Sequence, residues 1–290
     1  VIELCGIELA HQVINASGCF DVLAARAVFG DALIEEFPFA AYVSKTVTLE
    51  PRAGNPPPRL WETAGGMVNS IGLPNPGIDA YLETHLPEHV KLGVPLLTNV
   101  MGSSEDEFAA LIERLAGREE IAGIELNVSC PNVATGLDIG ADPAGIRGLM
   151  RRVRPLTSKP LIVKLTPNTA DVTACAIAAE QAGADAVSLI NTLRAMALAP
   201  GGVQPWLGGG TGGLSGPAIR AVALAQVASV AASVAIPVIG MGGVSSGADA
   251  AALLDAGARV VAVGTESFRD PAAGRRIARE LATRFAENTA

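Results

Sequence analysis

The segment Glu125-Leu-Asn-Val-Ser-Cys-Pro-Asn132 ends a strand-like apolar run in a cysteine flanked by asparagines. Cys130 therefore stands as an ionisable sulfur among neutral amide groups, where a thiolate can serve as nucleophile or as proton-accepting base. A cysteine taken at random is more often a small buried thiol, so other residues must supply the reason to read this one as reactive. The chain has four lysines, and two of them, Lys45 and Lys164, fall within otherwise apolar strand-like runs. A lysine there must meet an anion, a carbonyl or water, because an unpaired buried ammonium is too costly. Ser17, Asn99, Asn127, Asn191 and the pairs Gly242-Gly243 and Gly264-Thr265 occupy the corresponding ends of other such runs. Few of these residue types would stand at a strand end for packing alone.

The elements that must position them recur with a regular rhythm. Eight short β-branched runs, Gln12–Ser17, Ala41–Thr48, Pro95–Met101, Ala122–Val128, Pro160–Thr166, Ala184–Ile190, Ile236–Met241 and Arg259–Gly264, each lead through a Gly, Pro or Asn loop to a stretch of helical period. The helical stretches fall near Val22–Phe29, Gly77–Lys91, Glu105–Ala116, Pro143–Leu156, Ala170–Ala182, Pro217–Ser233, Gly247–Ala256 and Pro271–Phe285. Such alternation calls for a parallel sheet with right-handed crossovers, and eight units match a (β/α)8 TIM barrel, whose usual length is about 250 residues. An open doubly wound sheet would carry a Gly-x-Gly-x-x-Gly turn after its first strand, and none follows Gln12–Ser17. One domain over residues 1–290 is the expectation. Three long connections, Leu49–Pro76, Ser129–Asp142 and Thr192–Gly216, read as structureless loops after the second, fourth and sixth strands. In a barrel all three rise from the C-terminal face, where active sites of this fold sit, one suited to a lid and another to a partner surface. The cluster Gly208-Gly-Gly-Thr-Gly-Gly213 also admits a plain flexible linker.

Composition narrows the function further. With 21 basic against 29 acidic residues the net charge is −8, and no basic stretch is dense enough to track a nucleic-acid backbone. The closest approach, Arg151-Arg152-Val-Arg154, reads as a solvated face late in a helix. Cys5, Cys19, Cys130 and Cys175 are widely separated, and His11, His85 and His89 supply no third ligand at metal spacing, so no metal site is expected. His85 and His89 share a helical face and read as surface residues. No signal peptide and no run of membrane-spanning length is present, which makes a cytoplasmic protein with reduced thiols the default.

The glycine pairs after the seventh and eighth strands fall where barrels build a phosphate site from backbone N–H groups. Glycine lets backbone approach the phosphate closely, and the Thr265 hydroxyl adds a donor. A phosphate anchor, two lysines, several amides and a loop cysteine together suggest a flavin mononucleotide (FMN) site facing a small polar, anionic substrate.

The segments Ala16-Ser-Gly-Cys-Phe20, Ser44-Lys-Thr46, Asn69-Ser-Ile-Gly-Leu-Pro-Asn-Pro-Gly77, Asn127-Val-Ser-Cys-Pro-Asn132, Val163-Lys-Leu165, Ile190-Asn-Thr192, Gly212-Gly-Leu-Ser-Gly-Pro217, Gly240-Met-Gly-Gly243 and Val263-Gly-Thr265 resemble dihydroorotate dehydrogenase, in family order across essentially the whole chain. The resemblance implies FMN-dependent oxidation of (S)-dihydroorotate to orotate in pyrimidine (UMP) biosynthesis. By matching positions, Cys130 would remove the C5 proton while hydride leaves C6 for flavin N5, under a closing Ser129–Asp142 loop. Lys45, Asn69, Ser70, Ile71, Gly72, Leu73, Asn127, Asn132, Asn191 and Thr192 would hold the substrate, acting by orientation. Ser17, Lys45, Thr46, Asn99, Asn127, Lys164 and Ile190 would contact the ring and ribityl parts of the cofactor, with Lys164 offsetting negative charge on reduced flavin. Gly216, Gly242, Gly243, Gly264 and Thr265 would take its phosphate end.

Within the family, Ile190-Asn-Thr-Leu193 and Gly212-Gly-Leu-Ser-Gly-Pro-Ala218 resemble the NAD-linked class 1B catalytic subunit. The membrane-bound quinone-using class has serine at the position of Cys130 and an extra N-terminal helical segment, neither of which this sequence shows. Pro74, where class 1B members often carry Gln, and the stretch Arg194-Ala-Met-Ala-Leu-Ala199 depart from the class pattern and bear on the electron acceptor. Neither a dinucleotide fingerprint nor clustered cysteines are present. The class therefore implies a partner subunit with FAD and an iron–sulfur cluster, in a heterotetramer around a catalytic homodimer. The alternatives are a soluble fumarate-dependent dihydroorotate dehydrogenase or another FMN-dependent pyrimidine-ring oxidoreductase.

Overall fold

Each branched aliphatic run is separated from the next by enough chain to cross over and pair in parallel. The computed structural model describes residues 1–129 and 139–289. At the N-terminus β1 (Ile2–Leu4) turns through Cys5 and Gly6 onto β2 (Ile7–Leu9). Both turn residues take positive φ, 52° and 79°, as a two-residue hairpin turn demands. This hairpin was not expected from the sequence, its strands being only three residues long.

The remaining strands are β3 (Val13–Asn15), β4 (Tyr42–Val43), β5 (Leu60–Thr63), β6 (Gly66–Asn69), β7 (Leu96–Val100), β8 (Gly123–Asn127), β9 (Leu161–Lys164), β10 (Ala186–Leu189), β11 (Leu193–Ala195), β12 (Gly212–Ser215), β13 (Val238–Met241) and β14 (Val260–Val263). Eight of them, one in each expected run, form a parallel sheet in the order β3-β14-β13-β10-β9-β8-β7-β4. With helices around it this is a (β/α)8 TIM barrel. The seam between β4 and β3 is closed partly by a side chain: Asn15 accepts from Val43 N–H at 2.9 Å and donates to Val43 O at 2.8 Å. Ala40 N–H adds a backbone bond to Val13 O at 2.9 Å. Asn15 is fully buried, so an aliphatic residue there would strand both Val43 groups at about 1–3 kcal/mol each.

Period-two alternation divides the core. Ile14, Val43, Leu97, Ile162, Ala186, Ile239 and Val260 fill the barrel interior above Leu4, Ile7 and Leu9 of the hairpin. Their sequence neighbours, among them Leu96, Leu161, Val163, Val187 and Val261, pack outward under the helices. Two residues further along four adjacent strands the interior turns polar, with Asn99, Glu125, Lys164 and Ser188 all buried. The C-terminal half of the barrel is thus the end equipped for a ligand.

The helices are α1 (Val22–Phe29), α2 (Ala32–Glu35), α3 (Gly77–Ala80), α4 (Leu86–Val90), α5 (Glu105–Ala116), α6 (Pro143–Val153), α7 (Val172–Gln181), α8 (Arg220–Ala231), α9 (Gly247–Asp255) and α10 (Ala273–Thr289). Asp21, Ser104, Asp142, Asp171 and Ser246 cap their N-termini through side-chain oxygens, as those residue types favour. The single helix expected over Gly77–Lys91 is interrupted by a wide turn at Tyr81–His85, just before Pro87, which has no N–H to return to the preceding turn. His89, read as a surface residue, is buried against the rings of Tyr42 and Tyr81 at 4.7 and 5.7 Å. Arg154, read as solvated, pairs with Asp185 at 2.6 Å and caps Lys159 O at 2.9 Å.

The largest departure concerns the long connections. The first and third are not structureless: they contribute β5, β6, β11 and β12 to an antiparallel sheet ordered β11-β12-β6-β5. The glycine cluster is no linker either, since a Cβ on Gly213 would collide with the Thr192 side chain and one on Gly212 with Asn69 O. Trp61 and Trp206 bind the two connections together edge-on at 5.5 Å.

Candidate active site

Where the strand ends of the barrel meet this second sheet lies a cavity of about 680 Å³, within the range of small-molecule sites. Of the residues singled out by sequence, its wall carries Ser17, Lys45, Thr46, Asn69, Ile71, Leu73, Asn127, Lys164, Ile190, Asn191, Thr192, Gly216, Gly242, Gly243, Gly264 and Thr265. Asn99 lies one layer deeper, in the buried polar group. Ser70 and Gly72 do not reach the wall: Ser70 Oγ accepts from Asn55 Nδ2 at 3.0 Å, and Gly72 packs on Asn55. They shape the turn that presents Ile71 and Leu73. Cys130 and Asn132 lie outside the described residues.

Strand register explains the floor. Asn99 pairs with Glu125 across β7 and β8, and Lys164 pairs with Ser188 across β9 and β10. Glu125 accepts from Asn99 Nδ2 at 2.5 Å and from Ser188 Oγ at 2.7 Å, and Lys164 Nζ stands 3.9 Å from its Oε2. One buried carboxylate thus serves three strands and answers the lysine that the sequence left seeking an anion. Lys45 differs, having no carboxylate within ion-pair distance among the described residues. Burial pulls its pKa below the ordinary lysine range and Arg59 adds to this, against the opposing influence of Asp21 and Cys19. Lys45 is a half-buried cation of this cavity that an anionic ligand would satisfy. Cys19, on the same wall, is held protonated: burial raises its pKa, despite Lys164 and Lys45 nearby.

Above the floor a relay of amides and hydroxyls sets the rim. Asn127 donates to Thr46 Oγ1 at 3.3 Å and accepts from Ser129 Oγ at 2.8 Å, while Asn191 donates to Ser129 Oγ at 2.5 Å. Ser129, the residue before Cys130, is thereby anchored on two strand ends. At the opposite end, Gly243 takes a φ of 75°, and a Cβ there would press on Arg220 Cβ at 2.8 Å and Gly216 O at 3.0 Å. At Gly264 an added Cβ meets only ordinary contacts, Cys19 Sγ at 3.4 Å and Ala16 Cβ at 3.7 Å. The Thr265 hydroxyl donates to Ser215 Oγ at 2.9 Å on the cavity wall.

Glu125, Ser188, Ser129 and Arg220 were not singled out beforehand as site residues. Glu125 carried a readable signal, a carboxylate inside an apolar strand, of the same kind that marked Lys164. Ser188 and Arg220 act on partners far along the chain, and Ser129 joins the nearby Asn127 to the distant Asn191, which leaves no pattern specific to a site.

The sequence model of the dihydroorotate dehydrogenase family matches residues 1–285. The chain belongs to this family. It is 47% identical over 281 residues, 97% of this chain and 91% of the relative, to a protein of Citrifermentans bemidjiense named dihydroorotate dehydrogenase B (NAD(+)), catalytic subunit. Relatives with the same name in Geobacter sp. strain M21 and Geobacter sulfurreducens are 46% and 44% identical, each alignment covering 99% of this chain and 93% of the relative. The chain is thus an oxidoreductase of the dihydroorotate dehydrogenase family, whose members use a flavin, and the words catalytic subunit in the relatives' name imply a partner subunit. The cavity fits such a group on its own terms. It offers glycine turns at one end and, beneath its floor, a buried Asn99 Oδ1 with no hydrogen-bond partner among the described residues.

Removing the shared carboxylate should be expensive. Glu125→Leu leaves Lys164 buried and unpaired, a loss of about 3–5 kcal/mol in denaturant unfolding of the flavin-free chain. The Glu125→Leu, Lys164→Met double variant should recover at least half of that loss. Equal stability of the single and double variants would show that the pair does not couple.

Proposed function

We propose that the chain oxidises (S)-dihydroorotate to orotate with FMN, in pyrimidine (UMP) biosynthesis, and passes the electrons to a partner subunit. The supporting observation is Lys45, a half-buried cation without a carboxylate partner among the described residues, on the same wall as the glycine turns. Residues 1–290 act as a single FMN-binding TIM-barrel domain. Bound FMN supplies the hydride acceptor for C6 of the substrate. Cys130 takes the C5 proton, so the two C–H bonds lost become the C5=C6 double bond of orotate.

The side chains hold and orient. Lys45 takes the substrate carboxylate, with Asn69, Asn127, Asn132, Asn191 and Thr192 on the ring. The backbone segment from Ser70 to Leu73 frames the same ring through Ile71 and Leu73. Ser17, Thr46, Lys164 and Ile190 line the cofactor ring, with Asn99 one layer beneath it, and Gly216, Gly242, Gly243, Gly264 and Thr265 receive the phosphate through backbone. Lys164, tied to Glu125 from below, presents its ammonium to that ring without leaving an uncompensated charge in the barrel.

The relatives' name includes NAD(+). The chain carries no dinucleotide fingerprint, so the reading includes a second subunit with FAD and an iron–sulfur cluster, in a heterotetramer around a catalytic homodimer. No described helix is long and apolar enough to cross a membrane, and a cytoplasmic setting goes with the proposal.

Anaerobic mixing of the FMN-loaded chain with dihydroorotate tests the reaction. Flavin absorbance should bleach, and NAD added without a partner should not restore it. Rapid reoxidation by fumarate alone would move the chain to the soluble class, and brisk reoxidation by NAD alone would overturn the two-subunit reading. Cys130→Ala should retain FMN but bleach more slowly by about 10²–10⁴-fold; bleaching at the parent rate would remove the cysteine from the reaction.

Lys45 makes orotate affinity depend on pH. Burial favours its neutral form, so its charge is lost below the ordinary lysine pKa of about 10.4, and affinity should be full at neutral pH and fall as pH rises through the lowered value. Isothermal titration at increasing pH reads this directly. The Lys45→Met variant should bind weakly with no such fall, and a parent profile flat to the ordinary lysine range would exclude Lys45 from the carboxylate.

A further inference from the structure

The turns at the phosphate end do not hold their shape unaided. Gly242 and Gly243 leave β13 with φ of 129° and 75°, and fixing such free backbone costs conformational entropy. Two arginines from separate helices supply the constraint. Arg220, at the start of α8, donates through Nε to Gly243 O at 3.1 Å and through Nη2 to Ser245 Oγ at 3.2 Å. Its stem lies where a side chain on Gly243 would have to go.

Arg276, on α10, approaches the same turn from the other side. It donates to Ser245 O at 3.1 Å and reaches Glu266 at 3.0 Å and Asp270 at 3.0 Å in the segment after β14. Asp249 completes the hold, accepting from Ser245 N–H at 3.0 Å and from its hydroxyl at 2.9 Å. Every polar atom of Ser245 is therefore engaged, and Ser245 and Glu266 both line the cavity. Each arginine is balanced by acid: Asp249 at 2.8 Å for Arg220, and Glu266, Asp270 and Glu280 for Arg276. The arrangement carries geometry rather than surplus positive charge.

We propose that Arg220 and Arg276 are positioning residues that clasp Ser245 between them, fix the spacing of the turns after β13 and β14, and so give the chain its preference for a phosphorylated over an unphosphorylated flavin. This rests on the reading of the cavity as an FMN site. The ring end, built on Glu125 and Lys164, takes no part in the clasp and should bind the isoalloxazine equally well with or without it.

The test titrates flavin-free protein with FMN and, separately, with riboflavin, following quenching of flavin fluorescence. The parent should bind FMN much more tightly than riboflavin. Arg220→Ala and Arg276→Ala should each lose about tenfold or more in FMN affinity, with riboflavin affinity kept within about twofold. Arg220→Lys keeps the charge and the stem on Gly243 but cannot span Gly243 and Ser245 with one planar group. It should fall with Arg220→Ala, and it reads the clasp even where the alanine variant does not fold. Variants that discriminate as the parent does overturn the proposal, and so does a parallel loss for both flavins, the mark of a purely structural role. A parent that binds FMN no better than riboflavin overturns the FMN reading itself.

Discussion

The site depends on one buried carboxylate. Glu125 sits inside the barrel with a side chain 4% exposed, and everything polar on the floor is arranged around it: Asn99 and Ser188 by hydrogen bonds, Lys164 by charge. A carboxylate so placed is tolerable only with such partners, and Lys164 is tolerable only with the carboxylate. The two residues therefore license each other. They allow a barrel whose lower interior is ordinary aliphatic packing to end, two residues higher along the strands, in a charged floor. Register does the placing, because parallel pairing sets Asn99 beside Glu125 and Ser188 beside Lys164 with no freedom to slip.

The two ends of the cavity are positioned by different physics. At the floor, side chains on rigid strands meet inside the barrel, so their geometry is as stiff as the sheet. At the other end lie glycine turns, to which arginines on α8 and α10 donate hydrogen bonds. Between them, the second sheet lays β6 and β12 over the cavity and brings Asn69, Ile71 and Leu73 to its wall. Lys45 stands apart from both networks, a cation left for the ligand.

Much of this was legible in the sequence because it follows from periodicity. The eight barrel strands and their helices announce themselves by period two and period 3.6, and the residues at the strand ends are fixed once the strands are. The second sheet was not legible: Gly212 and Gly213 form a strand only because their missing side chains let Thr192 and Asn69 approach, a tertiary reason invisible to propensity. Asn15 was hidden differently, since a side chain standing in for a backbone ladder looks like any strand-end amide. Arg220 and Arg276 meet Ser245 across 25 and 31 residues, and no local pattern encodes that meeting. Glu125 was readable in principle, a carboxylate in the middle of the apolar Ala122–Val128 run, on the strand that pairs with that of Lys164.

The central claim is that the cavity holds FMN with its phosphate at the glycine turns, its ring over Lys164 and the substrate carboxylate at Lys45. A crystal structure of the chain with FMN and orotate measures all three positions at once. The account predicts phosphate oxygens within hydrogen-bonding distance of the Gly243 and Thr265 backbone N–H groups, and the orotate carboxylate beside Lys45 Nζ. Phosphate density at the opposite end of the cavity, or orotate bound away from Lys45, would contradict it.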